Sequence, residues 1–346
     1  MQHLSVPSAE TEKILQTLQS GGNLPESARV ITNPDEPGHR LIPFIGILAG
    51  DLLEYQVHEI DTKPSLKSYR DHLQHILPVE IFESIDWPTR HEFIGDLILI
   101  KLDEMQRQYG TEIAQAFLHQ HTRVRAVFED RGVTGQFRVR DLFLLGVRNG
   151  ENPTTHTFLT EGGHKIAVDP SKVYYSSRLS TEREGTLDCA RRLSVELGRP
   201  LSICDPYAGV GPSIVPLLSE PDLVGELFVN DMNPATTDFL KMNIKHPNVT
   251  IECTDARQLK QRDELSESFD LLLMNIPHDT ISHLPELLPL LRKGGIVRGW
   301  AVIENSDFES ASNYLTQILG HNVNIEIRRS YSATANLCRF EAKKTD

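Results

Sequence analysis

The sequence lacks any apolar run that approaches the roughly 20 residues of a membrane-spanning helix. Its first residues carry Glu10 and Glu12 and no apolar core, so we expect neither a secretory nor an organellar signal and predict a cytoplasmic protein. The four cysteines form no C-x-x-C pair, which argues against structural zinc, and no metal ligands are predicted. Cys204 and Cys253 fall in strand-like runs and are predicted to be buried thiols in a reducing compartment.

Positive charge is scarce as well, since the chain carries a formal net charge of −13 at pH 7. A net negative charge of this size argues against a nucleic acid as a partner of the protein surface as a whole. Positive charge is nevertheless concentrated in the tail IEIRRSYSATANLCRFEAKK and in six arginines of the middle section, namely Arg123, Arg125, Arg131, Arg138, Arg140 and Arg148. Two interpretations stay open, a local basic face on an acidic body and a set of solvated surface arginines.

The 346 residues exceed the usual length of a single domain, and the sequence pattern changes twice along the chain. Residues 1–61 combine a helix with short strand-like runs and predict a small α+β module. Residues 62–180 predict a second α+β domain, with an irregular connector at residues 62–90 and a single strand at residues 93–102. Residues 181–346 alternate strands with helices and predict a third domain of the α/β class.

Alternation in the last domain predicts parallel strands joined by crossover helices. Its strand-like runs are residues 201–204, 227–229, 249–253, 269–274, 296–303, 323–327 and 336–341. Since a loop alone separates the last two runs, we predict that they form a hairpin and that the sheet ends with one antiparallel strand. In open sheets of this kind, ligands bind in the crevice outside the carboxyl ends of the strands.

The stretch LSICDPYAGVGPSIVPLL (residues 201–218) predicts a strand, a glycine turn and a helix that opens at Pro212. Gly209 and Gly211 allow the backbone to approach a ligand, but the third glycine of a dinucleotide fingerprint is missing. Asp205 lies where a pyrophosphate would pass, and an acid there suits a ligand that carries a cation. The pattern D-x-x-A-G-x-G resembles motif I of the class I methyltransferases, which bind S-adenosylmethionine. A strand–turn–helix without a ligand is the structural alternative.

Two further acids follow strands of this domain. Asp231 ends the second strand, where a carboxylate can accept hydrogen bonds from both ribose hydroxyls of a nucleoside. Asp255 ends the third, where it can accept one from an adenine amine. Each acid alone is better explained as a turn or cap residue, since Asp favours strand ends and helix starts. Together with Asp205, at three successive strand ends, they favour a nucleoside ligand.

The tetrapeptide NIPH (residues 275–278) ends the fourth strand. Amino-group methyltransferases carry N/D-P-P-Y/F at this point, and the sequence departs from that pattern at Ile276 and His278. The amide of Asn275 offers one acceptor and two donors, which suits the Watson–Crick edge of a purine. The alternatives are an asparagine that holds a tight turn before Pro277, and a loop histidine without a catalytic role.

These motifs occur in order along a longer set of stretches, by which the sequence resembles the archaeal and eukaryotic type of tRNA (guanine-37-N1)-methyltransferase. The stretches are GQFRVRDL (135–142), VYYSSRLSTER (173–183), DPYAGVGPSIVP (205–216), NDMNPATTDFLKMNIK (230–245), LLLMNIPH (271–278) and RRSYSA (328–333). The resemblance implies a Rossmann-like class I methyltransferase domain at the C-terminus, preceded by two smaller α+β domains.

The resemblance also implies the chemistry. The proton on N1 of guanine must leave as the methyl arrives, and the general base of the family matches Glu182. Negative charge then develops on O6, and the arginine that stabilises it matches Arg140. Asn275 and Pro277 would hold the base. The residues implied for S-adenosylmethionine are Tyr174, Arg178, Asp205, Tyr207, Gly209, Gly211, Asp231, Asp255 and Asn275. The sequence departs from the family at Ser177 and Thr334, where prolines are usual.

The implied partner is tRNA, with guanine 37 turned out of the anticodon loop into the site. The basic stretch from Arg123 to Arg148 and the pair Arg328 and Arg329 would contact its backbone, and the N-terminal module would recognise the outer corner of the tRNA. We expect a monomer. Other interpretations stay open: an aminocarboxypropyl transferase of wyosine synthesis, methylation of the tricyclic base, or a non-catalytic tRNA-binding adaptor. A nicotinamide dehydrogenase is disfavoured by the missing glycine and the antiparallel ending.

Overall fold

The structure is a computed structural model that describes residues 1–25, 29–60, 68–320 and 323–345, without the side chain of Arg178. The chain divides into two compact units, Met1–His75 and Ile76–Asp346. The predicted domain boundary between residues 61 and 62 lies outside the described residues. The boundary between residues 180 and 181 falls inside the second unit, and both boundaries stay predictions.

In the first unit, one helix packs on an antiparallel sheet. The elements are β1 (Gln2–Pro7), α1 (Thr11–Ser20), β2 (Ile31–Thr32), β3 (His39–Pro43) and β4 (Gln56–Glu59), and the strand order is β2-β3-β1-β4. Ile14 and Leu18 of the helix pack with Leu4, Val6 and Ile42 of the sheet, because residues three to four apart share one helix face. The helix and two strands match the sequence prediction, whereas β1 and β4 were not predicted.

The stretch from residue 62 to residue 90 is not an irregular connector where it is described. It contains α2 (Tyr69–Ile76) and α3 (Val79–Ser84). Leu73 and Trp87 are buried, and the Trp87 indole N–H donates to the carbonyl of Phe82 at 2.8 Å. The two helices are too short, and too closely flanked by prolines, to show a helical period in the sequence.

The second unit opens with a four-stranded sheet and a separate hairpin among the described residues. The elements are β5 (His91–Ile94), β6 (Leu97–Ile100), α4 (Glu104–Arg107), α5 (Gly110–Gln120), β7 (Ala126–Thr134), β8 (Val139–Val147), β9 (Thr157–Glu161) and β10 (His164–Val168). The order is β5-β6-β7-β8, and β9 pairs with β10. The single strand predicted at residues 93–102 is wrong, because Gly95 turns the chain with φ +59°. A Cβ at Gly95 would lie 2.5 Å from the carbonyl oxygen of Phe158, so this turn requires glycine.

The rest of the second unit is a seven-stranded sheet, as far as the chain is described, with helices between the strands. The elements are α6 (Ser180–Leu197), β11 (Leu201–Asp205), α7 (Val215–Leu218), β12 (Val224–Asn230), α8 (Thr236–Asn243), β13 (Val249–Glu252), β14 (Phe269–Met274), α9 (Thr280–Leu287), β15 (Leu291–Glu304), α10 (Phe308–Leu319), β16 (Asn324–Ser330) and β17 (Ala335–Lys343). The order is β13-β12-β11-β14-β15-β17-β16, with β17 antiparallel to both neighbours. The predicted alternation and the antiparallel ending are confirmed.

Both faces of this sheet are covered. Leu271 and Leu273 belong to one apolar cluster, and Leu272 and Met274 belong to another, because successive residues of a strand point to opposite faces. All six residues of β14 are buried, which places the carboxyl end of this strand in the centre of the sheet. Parallel sheets buried on both faces leave their strand ends as the accessible edge.

Two local predictions are wrong. The helix after the glycine turn begins at Val215 and not at Pro212, because Gly211 adopts φ +82° and a tight turn follows, in which the N–H of Ile214 donates to the Gly211 carbonyl. Cys253 is exposed, since it lies after the end of β13, whereas Cys204 inside β11 is buried as predicted. In the described part of the chain, no helix is long and apolar enough to cross a membrane.

Candidate active site

A cavity of about 410 Å³ opens at the carboxyl ends of β11, β12 and β14, which is the predicted crevice. Its volume is in the range of small-molecule sites. The lining comes from residues 136–138, 174–176, 206–210, 230–233, 254–257 and 275–279, together with Leu179, Arg183, Pro212, Thr236, His283, Arg329, Tyr331 and Leu337. Among the described residues, those that line this cavity belong to the second unit.

The cavity brings together many of the predicted site residues. Those that line it are Tyr174, Tyr207, Gly209, Asp231, Asp255, Asn275 and Pro277. Asp205, the last residue of β11, and Gly211, in the loop that follows, are both buried and do not line the cavity. Glu182 and Arg140 do not line the cavity. The side chain of Arg178 lies outside the described residues.

Asp205 is a buried carboxylate that lacks one partner. Its Oδ1 accepts a hydrogen bond from the N–H of Tyr207 at 3.3 Å, whereas Oδ2 has no partner among the described residues. Burial, with a smaller contribution from the nearby charge of Asp231, raises the pKa of Asp205 to about 7. An unpartnered buried carboxyl is costly, so this position suits a ligand that brings a donor or a positive charge.

Asp231 joins two strand ends. Its Oδ2 accepts a hydrogen bond from the N–H of Gly209 at 2.8 Å, and its Oδ1 accepts one from the N–H of Asn233 at 2.9 Å. Burial raises the pKa of Asp231, and these hydrogen bonds to the carboxylate oppose the shift. Because each carboxylate oxygen has two lone pairs, Asp231 can hold the glycine turn and still accept hydrogen bonds from a ligand.

Asn230 has a role that sequence reasoning missed. Its buried amide donates to the carbonyls of Pro206 and Thr254, at 3.1 and 3.0 Å, and accepts from the N–H of Thr254 at 2.9 Å. It therefore ties the ends of β11, β12 and β13 together beside the cavity. The signal in the sequence is a polar residue that directly follows the apolar run Leu227–Val229.

Asp255 caps the short 3-10 turn that follows β13. Its carboxylate accepts from the N–H of Arg257 at 3.0 Å and from the Arg257 guanidinium at 2.5 Å, and these contacts hold the pKa of Asp255 below its ordinary value. Elsewhere in the cavity lining, the hydroxyl of Tyr207 is hydrogen-bonded to Nδ1 of His283 at 2.7 Å. Asp255 is thus an ionised acceptor at the cavity surface.

Arg140 lies away from the cavity because two acids hold it. Its guanidinium donates to Asp130 at 3.0 Å and to Glu92 at 2.9 Å. Arg138 lines the cavity instead. Residues two apart on a regular strand point to the same face, but Arg138 has φ +52° in the turn before β8, so the alternation does not reach it.

Glu182 lies in the first turn of α6 and is buried. Its Oε1 accepts from Nε of Arg328 at 2.6 Å, its Oε2 accepts from the Trp300 indole N–H at 3.1 Å, and Arg339 approaches to 3.8 Å. Burial raises the pKa of Glu182, but these donors and charges together outweigh it and hold the pKa below its ordinary value. The carboxylate is therefore ionised at neutral pH, next to Arg183 in the cavity wall.

The arginine-rich middle section does not form a free basic face. Arg125 pairs with Asp96, Arg131 with Glu129, and Arg148 donates to three backbone carbonyls. Arg140 and Arg328 are held by acids as described above. Among the arginines predicted to contact tRNA, the described residues offer no side-chain partner to Arg123, Arg138 or Arg329, and the last two line the cavity.

Comparison with protein families gives two matches. The TRM5/TYW2 methyltransferase domain matches residues 157–327, and the TYW2 N-terminal domain matches residues 69–150. The first match contains the whole glycine turn and most of the residues that line the cavity, except for residues 136–138, Arg329, Tyr331 and Leu337. The second match contains residues 136–138 and the four-stranded sheet β5-β6-β7-β8.

A curated relative matches nearly the whole chain. The tRNA (guanine(37)-N(1))-methyltransferase Trm5b of Pyrococcus abyssi is 26% identical over 336 residues, which are 92% of this chain and 93% of the relative. Among solved structures, the complex of aTrm5 and tRNALeu has a TM-score of 0.72 at 21% identity and covers 99% of both chains. TYW2 of Pyrococcus horikoshii in complex with MeSAdo has a TM-score of 0.60 at 18% identity, over 79% of this chain and 98% of that one. These structural likenesses confirm the predicted fold class.

Proposed function

Because this chain belongs to the TRM5/TYW2 family of class I tRNA methyltransferases, we propose that it transfers the methyl group of S-adenosylmethionine to N1 of guanine 37 in the anticodon loop of tRNA. The observation that carries the proposal is the set of three acids at successive strand ends, with an unpartnered buried oxygen on Asp205. The relative that aligns over nearly the full length is named for the same reaction.

The residues of the cavity fit the cofactor. Asp231 would accept from the ribose hydroxyls, Asp255 from the adenine amine, and Gly209 allows close approach of the backbone. The free Oδ2 of Asp205 and its burial suit the positive charge of S-adenosylmethionine. Arg178, Tyr174, Tyr207 and Gly211 remain proposed cofactor residues. When bound, S-adenosylmethionine supplies an electrophilic methyl group.

The chain's own groups would prepare the base. The Asn275 amide would hold the edge of the guanine, and Pro277 would shape the wall beside it. We keep Glu182 as the proposed acceptor of the N1 proton, since it is ionised and directly precedes Arg183 of the cavity lining, although Arg328 and Trp300 must release part of its carboxylate. For the developing charge on O6 we propose Arg138 in place of Arg140, because Arg138 lines the cavity and its side chain pairs with no acid among the described residues, whereas Arg140 is held by Asp130.

The partner and the domain roles follow as proposals. The substrate is tRNA with guanine at position 37, and residues 62–180 would contribute to both catalysis and tRNA binding, since Arg138 and Tyr174 come from them. Residues 1–61 would recognise the outer corner of the tRNA. We also propose that the protein is a monomer, since described residues of one chain line the cavity. Light scattering at micromolar concentration tests the monomer.

A second candidate function has one observation in its favour. Residues 69–150 match the TYW2 N-terminal domain, so aminocarboxypropyl transfer, or methylation of the tricyclic base, at the same tRNA position is the alternative. A non-catalytic adaptor would have no use for the unpartnered carboxyl of Asp205 or for the acids around it.

One experiment separates these functions. The purified protein is incubated with S-adenosylmethionine and an unmodified tRNA transcript that carries guanine 37, and the nucleosides are analysed by mass spectrometry. We expect 1-methylguanosine, absent when position 37 is adenine. A mass increase of an aminocarboxypropyl group, or activity confined to tRNA from a wyosine-making cell, would replace the proposal with the second candidate. No product from either tRNA would favour the adaptor.

A further inference from the structure

Two aromatic side chains form a part of the cavity wall to which no role has yet been given. His278 follows β14, and Tyr331 lies in the turn between β16 and β17. The Tyr331 hydroxyl and Nε2 of His278 are hydrogen-bonded at 2.9 Å, and the two rings meet edge to face, with centroids 5.2 Å apart. Tyr331 nevertheless remains 46% exposed, so one part of its ring is open to a ligand.

The backbone around Tyr331 holds the ring in place. The N–H groups of Tyr331 and Ser332 both donate to the carbonyl of Ala335, at 2.8 and 3.0 Å. Ser332 Oγ in turn accepts from the N–H groups of Thr334 and Ala335. A ring fixed by its own turn and by a hydrogen bond loses little freedom when a ligand binds, which is the condition for a pre-organised contact surface.

The groups around Tyr331 and His278 favour a ligand that carries both a negative charge and a flat ring. Burial and the positive charge of Arg138 lower the pKa of His278, against a smaller opposing effect of Asp279, so the imidazole is neutral at pH 7. Arg329, two residues before Tyr331, lines the same cavity and has no side-chain partner among the described residues. A tyrosine ring beside an unpaired arginine is the combination by which proteins bind an unstacked nucleotide.

We propose that Tyr331, held in place by His278, stacks on the base that is turned out of the RNA loop, and that Arg329 binds a phosphate next to that base. The inference rests on the proposed function and names the residues that select its substrate: a single unpaired nucleotide of RNA. Tyr331 and His278 lie beside Asn275 and Pro277, which would hold the same base by its edge.

A thermodynamic cycle tests the stacking contact. Binding of the full-length protein is measured for wild type and Tyr331→Ala, each with a guanine-37 transcript and with a transcript that has an abasic site at position 37. We expect Tyr331→Ala to weaken binding of the guanine transcript roughly tenfold, and to leave binding of the abasic transcript unchanged. Tyr331→Phe, which keeps the ring, should stay within about threefold of wild type.

Three further measurements test whether a loss of tRNA affinity comes from the contacts proposed for Tyr331 and Arg329. Tyr314→Ala removes a tyrosine of similar exposure that does not line the cavity, and its tRNA affinity should equal that of wild type. The affinity for S-adenosylmethionine should be the same in Tyr331→Ala and wild type. Arg329→Ala should reduce the slope of log affinity against log salt by about 0.7, the contribution of one phosphate contact in a single strand.

An equal loss of affinity on both transcripts would overturn the stacking contact, and so would a loss of cofactor affinity in Tyr331→Ala. In both cases the proposed function would stand as long as wild type methylates guanine 37. If wild type neither methylates the guanine transcript nor distinguishes it from the abasic one, the proposed function fails, and this inference fails with it.

Discussion

Arg328 donates a hydrogen bond of 2.6 Å from Nε to Oε1 of Glu182, and thereby joins strand β16 to the first turn of helix α6. The two residues are 146 positions apart in the sequence. Trp300 of β15 donates to the other carboxylate oxygen. The carboxylate is thus ionised but well stabilised, which makes it a weak base until one of these donors moves away.

Glu182→Gln tests the role of this carboxylate in proton transfer. We expect the single-turnover rate of methyl transfer to fall roughly 10²-fold or more, because an amide cannot accept the N1 proton, while the affinity for S-adenosylmethionine stays close to wild type. Glu326→Gln is the matched control, since Glu326 contacts the same Arg328 and Arg339. A Glu182→Gln rate equal to that of wild type, or an equal loss in Glu326→Gln, would reduce Glu182 to a structural ion-pair partner.

Arg138→Ala and Arg140→Ala should have different effects. Arg138→Ala is expected to lower the single-turnover rate roughly 10²-fold at an unchanged melting temperature, because the proposed donor to O6 is lost while its side chain forms no hydrogen bond or ion pair with the described residues. Arg140→Ala is expected to lower the free energy of unfolding by about 1–3 kcal/mol, because Asp130 and Glu92 lose their hydrogen-bond donor. Thermal unfolding and quench-flow kinetics of both variants measure these effects. A loss of rate in Arg140→Ala and not in Arg138→Ala would return the role of stabilising O6 to Arg140.

Asp231→Ala should weaken binding of S-adenosylmethionine. The carboxylate would accept from the ribose hydroxyls, and it also holds the N–H of Gly209 at 2.8 Å, so its loss removes a ligand contact and loosens the glycine turn. We expect a loss of at least tenfold in affinity by calorimetry, with tRNA affinity unchanged. Wild-type cofactor affinity in this variant would contradict the ribose role.

Asp205→Asn should stabilise the protein in a pH-dependent manner. The pKa of Asp205 is raised from 3.8 to about 7 in the folded chain, because burial disfavours the charged form. The buried carboxylate therefore lowers the free energy of unfolding by an amount that grows as the pH rises from about 4 to about 7 and is constant at higher pH. In the cofactor-free protein, we expect the variant to gain at most about 4 kcal/mol at pH 8 and about 1–2 kcal/mol at pH 5.

Urea denaturation at pH 5 and pH 8 measures this difference, and an equal gain at both would show that Asp205 does not titrate in this range. The same substitution should weaken cofactor binding at pH 8, because the unpartnered charge that suits a cationic ligand is gone. Stabilisation without any loss of cofactor affinity would place Asp205 outside the binding site.

Much of the fold could be predicted from the sequence, because the patterns that indicate strands and helices are local. Strand β14 begins and ends at the predicted residues 269 and 274, since a run that is apolar except for Asp270 marks its own limits. The hairpin of β5 and β6 is predicted as a single strand. Its signal is nevertheless present in the sequence, because Gly95 and Asp96 form a two-residue turn between two strand-like runs. The short helices α2 and α3 gave no comparable signal.

The sequence by itself determined that three acids lie at the ends of successive strands of a parallel sheet. This was possible because neighbouring residues indicate where each strand ends and that strands alternate with helices. The tertiary structure alone decided which cations would contact Glu182 and which arginine would line the cavity. Trp300, Arg328 and Arg339 reach Glu182 because β15, β17 and β16 lie side by side, and Arg138 replaces Arg140 at the cavity because its left-handed turn breaks the alternation of the strand. Partners that distant in sequence are set by the order of strands in the sheet, which no local pattern specifies.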